Sequence, residues 1–129
     1  MRRIFVTLGL LLMLVASAWA LTQHYSSGAT GLSITTGNLN TPFTDNHSGG
    51  TSTAFQARHV LIRSRSASAN SCHFDLGDGV ATTADTLLEP GASVRVEWES
   101  TTGGVGGGWN ALGAICGSGS ATWDVDAWR

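Results

Sequence analysis

Three aspartates lie close together in the middle of the chain and could bind a hard cation. Asp75, Asp78 and Asp85 share this stretch with Gly77 and Gly79. Ca²⁺ takes about six to eight oxygen ligands, and glycines let a backbone curl around such an ion. The stretch lacks the glutamate that closes an EF-hand loop, and its other interpretation is a turn beside a solvent-exposed strand face. The three aspartates are therefore weak calcium candidates, and we expect no metal or other cofactor.

Hydrolase chemistry needs a nucleophile, a base and an orienting acid within mutual reach. The segment 117–120 (Gly-Ser-Gly-Ser) resembles a nucleophile elbow only superficially, because its flanks read as strands and the elbow requires a strand followed by a helix. Of the four scattered histidines, His59 and His73 fall on the polar faces of candidate strands and could form a surface pair. We therefore expect a protein that is not an enzyme.

The chain has two cysteines, Cys72 and Cys116. In an exported protein two cysteines usually pair, and closing a loop of about 45 residues stabilises a fold by roughly 4 kcal/mol in the chain-entropy estimate. No cysteine-hydrolase context surrounds either residue, and no second pair has metal-ligand spacing. We expect a Cys72–Cys116 disulfide between strands that are neighbours in one sheet or face each other across the core.

Tryptophans supply the candidate binding residues. Trp98 and Trp123 fall in apolar rows and are predicted to lie in the core. Trp109 follows the glycine-rich segment 103–108, and Trp128 falls on the face opposite Trp123. Exposed aromatic rings stack on sugars or bury in a partner surface, so Trp109 and Trp128 are candidate partner-binding residues. The alternative for Trp109 is a ring that folds back as a lid over one end of the protein.

Residues 1–20 have the three-part layout of a secretory signal peptide. Arg2 and Arg3 precede the apolar run 4–15, and the small residues Ala18 and Ala20 flank Trp19. Cleavage after Ala20 would give a secreted or virion-associated protein. The alternative is a retained membrane anchor over residues 4–20, whose length is at the lower limit for a bilayer span.

Composition argues against a nucleic-acid partner. The chain has nine acidic and seven basic residues, and two of the seven are Arg2 and Arg3. The part after Ala20 is thus clearly acidic, whereas phosphate binding requires a basic face. Arg58, Arg63 and Arg65 cluster in the sequence, and we interpret them as a solvated strand face.

The hydrophobic pattern after residue 54 has a period of two, which is typical of strands that are buried on one face. The alternating apolar rows are Val60/Ile62, Cys72/Phe74/Leu76, Val94/Val96/Trp98, Leu112/Ala114/Cys116 and Trp123/Val125/Ala127. Turn signals separate the rows: Gly77-Asp78-Gly79, Glu89-Pro90-Gly91, and the segment 117–120, which is short enough for a hairpin. Five or six such strands predict an all-β, antiparallel, Ig-like or jelly-roll-like sandwich behind an N-terminal signal helix.

The predicted domain organisation has three parts: the signal peptide or anchor at 1–20, an arm at 21–54, and the sandwich at 55–129. The arm is rich in Ser, Thr and Gly, and only Leu32-Ser33-Ile34 alternates like a strand. We read residues 38–53 as loop. Such an arm would become ordered on a neighbouring subunit.

The part from His59 to Trp128 resembles small β-sandwich proteins of tailed phages and prophages, which are virion structural or decoration-type modules. The matching features are the Ile62-Arg63 strand, the turn Leu76-Gly77-Asp78-Gly79, the run Thr83-Ala84-Asp85-Thr86, Pro90-Gly91, Ala114-Ile115 and Gly119-Ser120-Ala121-Thr122. The resemblance implies a structural role without catalytic residues. A signal segment and paired cysteines depart from a capsid protein that assembles in the cytoplasm.

Residues 74–79 (Phe-Asp-Leu-Gly-Asp-Gly) and the later strand from Pro90 to Val96 are similar to the polycystic-kidney-disease type of Ig-like domain. Trp and Phe of that family's turn are replaced here by Phe74 and Leu76. Both resemblances imply the same architecture. The expected function is an exported structural or assembly protein that binds itself or other structural subunits; the alternative is a secreted module that binds polysaccharide or a cell-surface partner.

Overall fold

The computed structural model describes residues 23–46, 53–99 and 107–129. The regular structure of these residues is entirely β, in nine strands. They are β1 (His24–Ser26), β2 (Leu32–Ile34), β3 (Leu39–Pro42), β4 (His59–Ser64), β5 (Cys72–Gly77), β6 (Thr86–Leu88), β7 (Ser93–Glu97), β8 (Ala111–Cys116) and β9 (Ala121–Trp128). The predicted signal helix lies outside the described residues. Within the described part of the chain, no helix is long and apolar enough to cross a membrane.

The strands form two antiparallel sheets. Sheet A has the order β1–β9–β4–β7, with β2 also paired to β9, and sheet B has the order β3–β8–β5–β6. The first five strands pair with the last four in reverse order: β1 and β2 with β9, β3 with β8, β4 with β7, and β5 with β6. The described residues thus form an antiparallel ribbon folded into two sheets, which confirms the all-β, two-sheet prediction.

Alternation assigns one face of each long strand to the shared core. In β9 the residues Trp123, Val125 and Ala127 are buried while their neighbours are half-exposed. In β4, Val60 and Ile62 are inaccessible to solvent. Side chains of both sheets belong to one hydrophobic cluster. The apolar rows predicted for β4, β5, β8 and β9 are therefore confirmed.

The two cysteines form the predicted disulfide. Cys72 on β5 is directly opposite Cys116 on β8, with 4.1 Å between their Cα atoms. The bond lies within sheet B, so the two strands are neighbours and do not face each other across the core. It ties the beginning of β5 to the end of β8 over 44 residues of sequence.

Two predicted turns have different outcomes. The segment Glu89-Pro90-Gly91 forms the expected turn: the Ala92 backbone N–H donates to the Glu89 carbonyl at 3.0 Å, and Gly91 has φ of 77°. A positive φ at the third turn position needs glycine, and Pro suits the second. The hairpin predicted over residues 117–120 is wrong, because β8 and β9 belong to different sheets. That segment instead crosses from one layer to the other.

The prediction of an arm with one short strand is also wrong. Leu32–Ile34 is a strand as expected, but β1 and β3 flank it, and β3 lies in a segment read as loop. Phe43, just after β3, is fully buried and contacts Tyr25 and Phe55, with ring centroids 5.9 and 6.3 Å apart. Hydrophobic periodicity does not reveal short polar strands such as β1 and β3, because these strands are stabilised by pairing with β9 and β8.

This placement predicts the effect of Phe43→Ala. Removing a fully buried ring leaves a cavity between Tyr25 and Phe55 and should lower the free energy of unfolding by about 3–5 kcal/mol. Urea denaturation is the measurement, and Thr36→Ala, at an exposed site in the same region, is the matched control. If the two variants were equally stable, residues 24–46 would not be part of the core.

Candidate functional site

The edge strands of the two sheets meet at one margin of the molecule. β6 ends sheet B and β7 ends sheet A, and only residues 89–92 separate them in sequence. A connection this short forces both strands to the same side of the fold. β6 pairs only with Cys72, His73 and Phe74, so the second half of β5 is paired with β8 on one side and has no described strand on the other. The margin between the sheets is consequently open.

A groove of about 380 Å³ occupies this opening, and we call it the β6–β7 groove. Its lining is Phe74, Asp75, Leu76, Thr86, Val94, Val96 and Trp109. Val94 and Val96 point toward the core but stay half-exposed, because sheet B does not extend over them. The lining is apolar except for one carboxylate and one hydroxyl. Such a surface suits an extended or flat apolar partner.

Trp98 packs against Trp109 of the groove lining, and the prediction that it is a core residue is wrong. The residue is 39% exposed, and its ring meets the edge of Trp109 at 5.4 Å and 86°. Alternation along β7 correctly predicts the side of the strand on which Trp98 lies. It does not reveal that the opposite sheet ends before reaching that side chain.

The two tryptophans mark the ends of the glycine-rich segment. The Trp98 backbone N–H donates to the Arg58 carbonyl at 2.7 Å, and Trp109 exchanges two 2.9 Å backbone bonds with Ala57. Gly107 and Gly108 lie so close to Trp98 and Ala57 that a Cβ on either would meet an atom within 2.7 Å. Both have positive φ, so glycine is required for this close approach. Residues 100–106, most of the predicted glycine tip, lie outside the described residues.

The candidate binding residues Trp109 and Trp128 occupy different faces. Trp109 is half-buried and packs on the core at the β6–β7 groove. Trp128 lies on the outer face of sheet A, stacked on His59 at 5.3 Å and 16°, with the Arg95 guanidinium carbon 5.5 Å from its ring. A ligand that stacks on Trp128 would have to displace these groups. Their roles in binding stay predictions.

The three calcium candidates lie near one another, in the second half of β5 and in the segment between β5 and β6. Burial, followed by the charges of Asp85 and Asp78, raises the pKa of Asp75 above its ordinary value. Asp85 accepts hydrogen bonds from the Thr82 amide and hydroxyl at 2.6 and 2.9 Å, and Asp78 accepts one from Val80. Two of the carboxylates thus hold turns. In the described residues no group of three or more His, Cys, Asp or Glu side chains is arranged to hold a metal ion, and calcium binding stays a prediction.

The histidine pair does not form. His59 lies on the outer face of sheet A, 3.7 Å from Glu97, whereas His73 lies on sheet B with its Nδ1 3.0 Å from the Asp85 carbonyl. The predicted pairing is wrong, because polar faces of strands in different layers point in opposite directions. Ser118 belongs to the segment 117–120 that superficially resembles a nucleophile elbow. It lies between two strands, as the sequence predicts.

Arg65, one of the clustered arginines, forms a two-pronged ion pair. Its Nη2 and Nε donate to Asp124 at 2.6 and 3.1 Å, and Nη2 also donates to the Ala29 carbonyl at 2.7 Å. The hydrogen bonds that Arg65 donates to Asp124 hold the pKa of this carboxyl below its usual range. The pair links β9 and the residue after β4 to the turn between β1 and β2.

Comparison with protein-family models, curated proteins and solved structures yields no match. The candidate site therefore rests on geometry. Sequence reasoning identified Trp109 but not the groove beside it. The alternation of Val94, Val96 and Trp98 with charged residues was the available signal, and it does not reveal that β7 is an edge strand.

The Arg65–Asp124 pair gives a pH-dependent prediction. A carboxyl group whose pKa is lower in the folded than in the unfolded state stabilises the fold. This stabilisation is fully present above the pKa of an unfolded aspartate, about 4, and it is lost as the pH falls through the folded-state pKa. Asp124→Asn should therefore be slightly less stable than the wild type at about pH 7, as expected for a surface pair. Below about pH 4 the difference should shrink.

Denaturant titrations at the two pH values test this, with Glu89→Gln, at an exposed turn residue, as the control. A difference that does not change with pH would mean that the ion pair is not its source.

Proposed function

We propose that the chain is a non-enzymatic structural module of an exported assembly, virion-associated or part of a surface layer or filament, and that it associates with further copies of itself. The Cys72–Cys116 disulfide is compatible with an extracellular location. The resemblance of residues 59–128 to phage and prophage structural modules supports the same role. The signal peptide is part of this proposal.

For the fold we propose a jelly-roll-like sandwich rather than an Ig-like one. A jelly roll is a rolled antiparallel ribbon of eight strands in two sheets. β1 and β2 both pair with β9, so they can be counted as one interrupted strand, which leaves eight strands. The reverse-order pairing of these strands then fits this description. Jelly rolls occur in viral capsid proteins and in lectins, so the architecture alone does not choose between assembly and sugar binding.

The observation that favours assembly is the open margin. Val94 and Val96 of β7 are half-exposed, and Trp98, directly after this edge strand, is 39% exposed. Contiguous apolar surface beside unpaired strand edges is typical of interfaces between subunits. The predicted mechanism of assembly changes accordingly: β1–β3 belong to the protein's own sheets, so association uses the β6–β7 margin rather than an arm.

The prediction is that the purified exported protein forms regular oligomers or fibres. Sedimentation velocity over a range of concentrations and electron microscopy of the same sample are the measurements. A strict monomer at high concentration would contradict the proposal.

The second candidate is a secreted module that binds polysaccharide or a cell-surface partner. The observation in its favour is Trp109, which lines the β6–β7 groove together with Asp75 and Thr86 and packs against Trp98, since sugar sites combine aromatic rings with a few polar groups.

A glycan array separates the two candidates. If the groove binds sugar, Trp98→Ala should abolish a signal that the wild type shows, because the more exposed ring of the pair is removed. Val80→Ala, which shortens an exposed apolar side chain outside the groove lining, is the control. Binding that survives Trp98→Ala, or no binding by the wild type, would contradict this candidate.

A further inference from the structure

We propose that the outer edge of β7, which no other strand in the described part of the chain pairs with, is the surface through which two copies associate, by antiparallel pairing of β7 with β7 about a two-fold axis at Val96. This inference rests on the proposed function and specifies its partner, a second copy of the chain. Pairing of strand edges would extend sheet A across both subunits.

β7 is the best of the available edges. The other edge strands of the two sheets are β1, β2, β3 and β6. β1, β2 and β6 have three residues each, and β3 ends in Pro42, which has no N–H to donate. β7 has five residues and neither proline nor glycine. It therefore offers the longest uninterrupted row of backbone groups.

The hydrogen-bond pattern shows which residues of β7 face outward along the sheet. The Trp98 backbone N–H donates to the Arg58 carbonyl, and two residues earlier Val96 is opposite Val60 in the same register. Residues directly opposite alternate between hydrogen-bonded and non-hydrogen-bonded pairs in an antiparallel ladder. The backbone groups of Val96 therefore point to β4, and those of Arg95 and Glu97 point to the open edge.

A second β7 must thus be hydrogen-bonded through Arg95 and Glu97. With Val96 opposite Val96 at the axis, Arg95 of each copy is opposite Glu97 of the other, so two oppositely charged pairs form. The next possible registers move the two-fold axis by one residue along β7. They place either Arg95 opposite Arg95 or Glu97 opposite Glu97. Like charges directly opposite each other are destabilising, so the register with Val96 at the axis is favoured.

The opposite face of the strand supports the same register. When Val96 lies at the axis, it is opposite Val96 of the second copy, and Val94 of one copy is opposite Trp98 of the other. These side chains line or adjoin the β6–β7 groove and are partly exposed in the single chain. On the outer face Arg95 and Glu97 already lie 2.8 Å apart within the strand, and both side chains are more than half exposed. The edge is therefore charged on one face and apolar on the other, in a self-complementary order.

Charge exchange tests the proposal with the full exported chain. Arg95→Glu places a glutamate opposite Glu97 of the second copy, and Glu97→Arg places an arginine opposite Arg95 of the second copy. Each variant alone should therefore show an increase of at least about tenfold in the dissociation constant of the dimer. An equimolar mixture of the two variants restores an opposite-charge pair at both positions and should associate as the wild type does. The double variant should also associate, and Glu89→Arg is the control for a change in net charge.

Sedimentation velocity distinguishes the outcomes. Weak association of each single variant together with recovery in the mixture supports the β7 edge; recovery also shows that both variants are folded. If the wild type associates and the single variants do so equally well, or if the mixture does not recover, the β7 edge is overturned while assembly stands. A monomeric wild type would overturn both.

Discussion

Reverse-order pairing of the first five strands with the last four is the constraint on which the structure depends. β9 pairs with β1 and β2, β8 with β3, and β7 with β4, so most ladders join residues far apart in sequence. The last two strands, β8 and β9, occupy interior positions in their sheets. Closing long loops costs conformational entropy before any contact stabilises the chain. The Cys72–Cys116 bond reduces that cost for the part of the ribbon between β5 and β8.

The disulfide does not hold the two layers together. Because it joins neighbouring strands of sheet B, attraction between the sheets comes from the apolar side chains that both contribute. Trp123 of sheet A, fully buried, meets Phe74 of sheet B edge-on at 6.2 Å. Burying large rings of this kind is a main source of stability in small domains. Oxidation therefore strengthens one sheet, and the hydrophobic effect closes the fold.

The same topology that fills the core leaves one margin open. β6 and β7 follow each other in sequence and lie on edges of different sheets, with only the 89–92 turn between them. Sheet B does not cover the inner face of β7 completely, so Val94, Val96 and the following Trp98 stay partly exposed. A groove and an unpaired strand edge arise together from one short connection. The candidate site is thus a consequence of the strand order and of the short connection between β6 and β7.

The sequence by itself determined the β character, the disulfide partners, the inward rows of the long strands and the Glu89-Pro90-Gly91 turn. These follow from period-two patterning, from turn chemistry and from the presence of two cysteines, all of which are local or compositional. Tertiary structure decided that β1 and β3 are strands, that residues 117–120 cross between layers, and that Trp98 is exposed. Short polar strands such as β3 are stabilised by their partners, and exposure depends on where the opposite sheet ends. Neither property is encoded in the alternation of a single segment, because each depends on residues that are distant in sequence.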